Sequence, residues 1–384
     1  MFRRRRTIVQ VGLFLFLFIG VANAQPHWAL VSVSGPAPRS NHAMVYDSCR
    51  NVLVLYGGVD WQQGYEDTWE WDGTSWSLRA SGGGPGIRAS HSMAFDAARC
   101  RTVLFGGVDA WIYANYRSDT WEWDGNTWTQ KCSDGICGPT MRQTGAMAYH
   151  PLRQRVVLFG GWSSSTLLND VWAWDGTTWT SITTNAGPTP RAGAAMVYDP
   201  LQDRMVVFGG DIVPVLCGTH SNETWELELP TPSGPGTWTL QTVSGSPSPR
   251  ALMGMAFDAS TGKTLLYGGT NDCDAAYHDT WSYDGSFWDL LQVQSGPGNL
   301  YWFGMAFDNA RAETVLFGGN TTYNPAISPA AEHFRGATWS FDNRAYSIPA
   351  VGTWGLAATT LLLLCAGSIV AMRRGRLLSA TPHP

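Results

Sequence analysis

The chain has 384 residues, the length of two or three average domains, although a single all-β domain can be longer. Apolar residues make up 44% and charged residues 14%, with 20 Trp, so the composition excludes a largely disordered chain. Seven of the 25 basic residues sit in two terminal segments without acids, and the remainder carries 18 basic against 30 acidic residues, a net charge of −12. Such a surface repels phosphate backbones and excludes a basic nucleic-acid binder.

Residues 1–24 read as a secretory signal peptide. Arg3 to Arg6 form the positive region, Val11 to Val21 the apolar run, and Ala22-Asn23-Ala24 a small-residue cleavage site. The apolar run is short for a bilayer span. An exported chain is expected, in a compartment where disulfides are permitted.

From Trp28 onward a unit of about 50 residues repeats. Six Gly-Gly pairs follow apolar runs, at Gly57, Gly106, Gly160, Gly209, Gly268 and Gly318. Five of the six units open on Arg, and all six have a stretch ending in Met-x-aromatic, as in Arg39 to Asp47. The apolar run comes next, as in Val52 to Tyr56. It is apolar at every position and predicts a strand buried on both faces. A variable loop leads to an acid-Thr-Trp-x-aromatic segment such as Asp67 to Trp71, where Trp69 and Trp71 share a face. Asp72-Gly73 predicts a tight hairpin, and Trp76 opens the last strand. A period near 50 is a repeat-architecture signal. Four strands per unit, the inner ones buried on both faces, need neighbours on both sides, which a ring supplies.

The pattern resembles the kelch repeat of β-propellers, in the form also called the galactose-oxidase central-domain type, over residues 28 to about 342. The resemblance implies an all-β, six-bladed propeller occupying residues 25–347. The sixth unit reaches Thr338 to Asp342 without a closing Trp strand, while Trp28 to Gly35 matches that missing piece. The N-terminal strand is therefore expected to close blade six and remove the open edges.

Few residues announce chemistry. The copper enzyme behind the resemblance needs paired Tyr and His with a Tyr–Cys crosslink, and no His here pairs with another at metal-ligand spacing. His42 and His91 fill the same slot in neighbouring blades and are expected to be polar residues at a blade interface. Asn271, Asp272 and Asp274 lie in one loop, read as solvated rather than as a Ca²⁺ site. No nucleophile elbow or phosphate loop is present. No metal or cofactor is expected.

Arg39, Arg88, Arg142, Arg191 and Arg250 each precede the Met of their unit by five residues. Asp67, Asp119, Asp170, Glu223 and Asp279 each precede a Thr/Val-Trp pair. Blade six has Leu300 and Ala337 in these slots, so both vacancies coincide. First and third strands run parallel, which brings each Arg and acid to one end of the blade, and structural Arg–carboxylate pairs are expected. The alternative is a basic ring at the channel mouth. In the kelch resemblance, strand-start arginines can bind acidic peptides.

Among the cysteines outside the C-terminal apolar run, Cys132 with Cys137, Cys217 with Cys273 and Cys49 with Cys100 are the pairings that repeat geometry favours. The Gly-Gly-to-Trp loops share one face, and rigid scaffolds place function on such loops. Trp61, Tyr65, Trp111, Tyr113, Tyr116, Trp162 and Tyr323 are the candidate ligand-binding aromatics, expected to form one exposed patch suited to sugar rings or a protein anchor.

Residues 348–384 end the chain. Thr353 to Met372 is uncharged and long enough to span a bilayer, followed by Arg373, Arg374 and Arg376. With Ile348 to Gly355 before it, the segment resembles the IPTL-CTERM and PEP-CTERM sorting tails, which implies processing by an exosortase-type membrane enzyme. The whole reads as an exported propeller, membrane-anchored or sorted to the cell surface, binding a protein or glycan without catalysis. The alternative is a secreted kelch-type oxidoreductase or carbohydrate-active enzyme.

Overall fold

Five repeats each fold into a four-stranded antiparallel sheet with strands in sequence order, the sixth repeat supplies three strands to a sheet completed by the N-terminal strand, and the six sheets form the ring. The computed structural model describes residues 26–60, 62–109, 115–213, 219–230, 234–272, 275–293, 295–321 and 335–342. The expected signal peptide and C-terminal tail lie outside the described residues. Among the described residues no helix is long and apolar enough to cross a membrane.

The apolar second strands explain the architecture. Leu53 and Leu55 pack with Val315 and Phe317 of blade six. Val54 and Tyr56 of the same strand pack with Met93 and Leu104 of blade two. One strand thus feeds two cores, and each core is a wedge between neighbouring sheets. Every such side chain contributes about 1.5–3 kcal/mol on burial, but only when both neighbours are present.

The Trp that opens each fourth strand stitches the wedges. Trp128 Nε1 donates to Thr68 Oγ1 of blade one at 2.8 Å, Trp179 to Thr120 at 2.8 Å and Trp288 to Thr224 at 2.9 Å. The Thr of the acid-Thr-Trp segment is therefore an acceptor for the following blade. Blade three has Val171 in that slot, and there Trp238 meets an apolar contact instead. Small residues make room for the indole: a Cβ on Gly187 would lie 2.3 Å from Trp238, and one on Gly138 2.6 Å from Trp179.

The N-terminal strand closes the ring. His27–Ser32 pairs antiparallel with Thr338–Asp342, placing Trp28 opposite Phe341. Trp28 is buried, and its Nε1 donates to Thr280 Oγ1 of blade five at 3.1 Å, the same stitch as in the other blades.

Three details depart from the expected repeat. The Asp-Gly connection is a four-residue loop with Trp71 paired to Trp76, not a two-residue turn. The Asp72 carboxylate holds it by accepting the Thr74 and Ser75 amides, each at 2.8 Å. Blade three has no irregular loop after its Gly-Gly. Arg155–Ser163 and Thr166–Trp174 run on as one long hairpin. Blade five adds a short hairpin, Thr270–Asp272 with Ala275–Ala276.

Trp28→Ala is expected to cost about 3–5 kcal/mol, as for other buried Trp truncations, and to lower the melting temperature in a thermal scan. Deleting residues 26–34 exposes the Thr338–Asp342 edge, so that variant should aggregate on size exclusion. A deletion variant as stable as the parent would refute closure by this strand.

Candidate functional site

The end of the ring where first strands begin gathers the strand-start arginines, the Gly-Gly pairs and the acids before Trp. Arg39 Nη2 donates to Asp67 Oδ2 at 2.9 Å, and Arg142 Nη2 to Asp170 Oδ2 at 2.8 Å. Arg88 reaches Asp119 at 3.0 Å, Arg250 reaches Asp279 at 2.9 Å and Arg191 reaches Glu223 at 2.6 Å. Each Nη1 also donates to the carbonyl of its blade's first Gly, as Arg39 does to Gly57 at 2.9 Å. The acid carries a second donor, since Trp69 Nε1 meets Asp67 Oδ2 at 2.7 Å. That bond explains why the acid stands two residues before Trp.

Burial raises the Asp170 pKa, but the bond and charge of Arg142 and the Trp172 donor outweigh it, so the pKa lies below the ordinary carboxylate value. The same balance lowers Asp279 and Glu223. The guanidinium side chains are 0–2% exposed, whereas the carboxylates range from 5% for Asp119 to 39% for Glu223. No cationic ring is offered to a ligand. The face presents acceptors, with the cations sealed beneath.

Blade six shows what replaces the pair. Leu300 is buried in the wedge with Phe303 and Trp28. An apolar substitute in a buried ion-pair slot is energetically reasonable, because desolvating two charges cancels much of their attraction.

The candidate aromatics divide. Tyr65 is half-buried, with the Arg39 guanidinium 3.8 Å from its ring centre and its hydroxyl donating to Asp60. Tyr116 packs on Val59, Ala89 and Val108. Trp162 is half-buried in the blade-three hairpin, paired with Leu167. Tyr65 and Tyr116 therefore serve loop packing rather than standing free. Trp61, Trp111, Tyr113 and Tyr323 lie outside the described residues. Cys49 bonds Cys100 and Cys132 bonds Cys137, while Cys217 and Cys273 lie outside the described residues.

The channel mouth was not legible from motifs. Asn41, Ser90, Thr144, Gly193, Leu252 and Trp302 occupy one slot, one per blade, all with φ between 52° and 63°. Each amide donates to the same slot of the preceding blade: Ser90 to Asn41 at 2.8 Å, and so on to Asn41 to Trp302 at 3.0 Å. The circuit is closed. Its side chains are polar over blades one to three and apolar over five and six. Tyr301 and Trp302 form an aromatic ledge with ring centres 5.2 Å apart. At blade four, His220 Nε2 lies 2.8 Å from Asp211 Oδ1 beside the residues that flank Gly193. Below the mouth is a cavity of about 210 Å³ lined by the first strands, including a Met from every blade.

His42 and His91 line this cavity but point between blades. His42 accepts the Gly304 amide at 3.1 Å and packs edge-on against Phe317. Burial first, then the Arg39 charge, lowers its pKa to about 3. His91 packs on Tyr56 and is lowered for the same reasons, with Arg88 as the cation. Both are neutral pegs. His150 replaces the Asp that ends the other first strands, such as Asp199, whose carboxylate accepts the Leu201 amide at 2.9 Å. His150 is sealed, and burial lowers its pKa to about 4. Of the loop residues read as solvated, Asp274 lies outside the described residues, and among the described residues no three His, Cys, Asp or Glu form a group that could hold a metal ion.

The KLHDC2/KLHL20/DRC7 Kelch-repeats domain matches residues 15–210, just over half of the chain. No curated protein matches it.

Arg142→Leu alone leaves Asp170 partly buried without its cation and is expected to cost about 3–5 kcal/mol. Arg142→Leu with Asp170→Ala, copying blade six, should recover most of that loss in urea unfolding. Equal losses in single and double variants would contradict the pairing. For the histidines the sign runs toward acid. The unfolded chain takes up protons near the ordinary 6.5, whereas folded His150 resists until about 4, so stability falls as pH drops through that window. His150→Asp should flatten part of this slope in pH-dependent melts, and an unchanged slope would count against a buried neutral His150.

Proposed function

The chain belongs to the kelch-repeat family, and on that premise we propose that it is a non-catalytic binding module whose partner docks on the strand-start face. Kelch propellers generally bind protein partners. The observation that carries the reading is the construction of that face. Its strand-start guanidiniums are consumed internally, carboxylates such as Asp170 and Glu223 reach solvent, and its channel mouth sets an aromatic ledge beside polar groups. A partner bringing donors and an apolar or aromatic anchor fits this chemistry better than an acidic peptide. The histidines nearest the axis act as interblade pegs, which favours binding over catalysis.

A glycan is the second reading, supported by the Tyr301–Trp302 ledge, since aromatic faces suit sugar rings. Residues 1–24 supply export in this proposal, and residues 353–372 hold the protein at the membrane until a sorting enzyme acts on the tail. Fractionation with mass spectrometry should find the intact tail with membranes or a cut near residues 349–355. Soluble full-length protein in the medium would oppose both.

A protein-capture and glycan-array screen tests the binding role. Trp302→Ala with Tyr301→Ala should abolish the strongest interaction while lowering the melting temperature little. Trp61→Ala with Trp111→Ala should do the same if the outer loops share the contact. Binding that survives all four substitutions would move the site off this face.

A further inference from the structure

Blade two carries a device the other blades lack. Its fourth strand, Trp128–Cys132, ends in a buried Cys132, and the chain loops through Ser133 to Ile136 before Cys137 closes a small disulfide ring. The loop is solvated throughout, and Ile136 is 77% exposed. No apolar packing holds it. The loop nevertheless makes three ties to the strand-start face, two of them through Asp134. Oδ1 accepts the Ser118 amide at 2.7 Å, Oδ2 accepts Arg117 Nη1 at 2.9 Å, and the neighbouring Gly135 amide donates to Ser118 Oγ at 2.8 Å.

Arg117 passes the constraint onward. It grips Asp109 through Nε at 2.8 Å and Nη2 at 2.6 Å, and Asn115 Nδ2 adds a bond to Asp109 at 3.2 Å. The Arg117 backbone is bound too, with its amide donating to Gly107 O at 2.9 Å and its carbonyl accepting the Arg142 amide at 3.1 Å. A six-residue covalent ring therefore sets the position of one carboxylate, and that carboxylate sets the end of the blade-two loop.

We propose that the Cys132–Cys137 disulfide is a thiol-reducible latch on blade two of the strand-start face. Cys137 is exposed, so a dithiol reductant can reach it. The reductant thiolate attacks Cys137 Sγ, and the Sγ–Sγ bond breaks with Cys132 leaving as thiolate and taking a proton. The second reductant thiol then resolves the mixed disulfide. Two electrons and two protons pass to the protein, and the reductant leaves as its own disulfide. With the ring open, residues 133–136 regain conformational freedom, and Asp134 leaves Ser118 and Arg117. The latch is independent of what binds the face, so its failure and that of the binding role are distinguishable.

Amide hydrogen exchange on the full chain tests it, with Cys49→Ala and Cys100→Ala present so that only one disulfide responds. Adding a dithiol should speed exchange at Ser118 and Gly135 about tenfold, matching the loss of a charge-assisted bond, while strand Arg101–Phe105 stays protected. Asp134→Ala should speed Ser118 in the oxidised protein, and the reductant should then add nothing there. Unchanged Ser118 protection after confirmed reduction would overturn the proposal, as would a full reductant response in Asp134→Ala. Should the double-alanine background fail to fold, Asp134→Ala in the parent chain with and without dithiol gives the same decision.

Discussion

Closure of the ring rests on two circuits of backbone hydrogen bonds between blades. The inner one runs through the positive-φ residues at the channel, from Asn41 to Trp302 and back. The outer one runs from the second Gly of each pair to the strand-start carbonyl of the next blade, from Gly58 to Arg88 at 2.8 Å through Gly319 to Arg39 at 2.9 Å. The Gly-Gly pair exists for this contact. A Cβ on Gly57 would stand 2.5 Å from Arg88 O and one on Gly58 2.7 Å from Ser40 O, and both residues have positive φ. Everything else on the strand-start face is hung from these circuits.

The arginines follow from the same geometry. Bringing the Gly carbonyl, the Arg backbone and the third-strand start together leaves a polar pocket in each blade that needs a donor with several arms. Arg supplies it and a carboxylate neutralises it. Where Leu300 and Ala337 stand instead, the blade packs apolar side chains and remains in the circuit, with Gly269 donating to Leu300 O at 2.8 Å. The backbone contact is thus common to all six blades, and the ion pair is one of two ways to fill the space around it.

The fold was largely readable because its determinants are periodic. Runs such as Val52 to Tyr56 must feed two cores at once, and Trp28 had to belong to a blade that lacked its own Trp. The face was harder to read. Slots that need a left-handed backbone accept Asn, Ser, Thr, Gly, Leu and Trp here, so no residue type marks the channel mouth. Tyr65 looked like an exposed anchor because the sequence does not say that its ring lies against Arg39. Asp-Gly indicated a turn but not its length, which Asp72 sets through side-chain bonds to the two residues after Gly73. Single-blade exceptions such as His150 and Val171 stand out only against the other five.

The seam places the first strand beside the last. Trp28 waits for Phe341, so the whole propeller must be synthesised before the ring can close. Contacts between residues this far apart pay a large loop-closure entropy and form late. Until then blade six lacks its outer strand, and the wedge between blades five and six lacks its indole. A nascent chain at that stage exposes an unpaired edge and an open apolar cleft together, the combination that recruits chaperones or other unfinished chains. The position of the seam thereby sets when, during biosynthesis, this protein is most vulnerable.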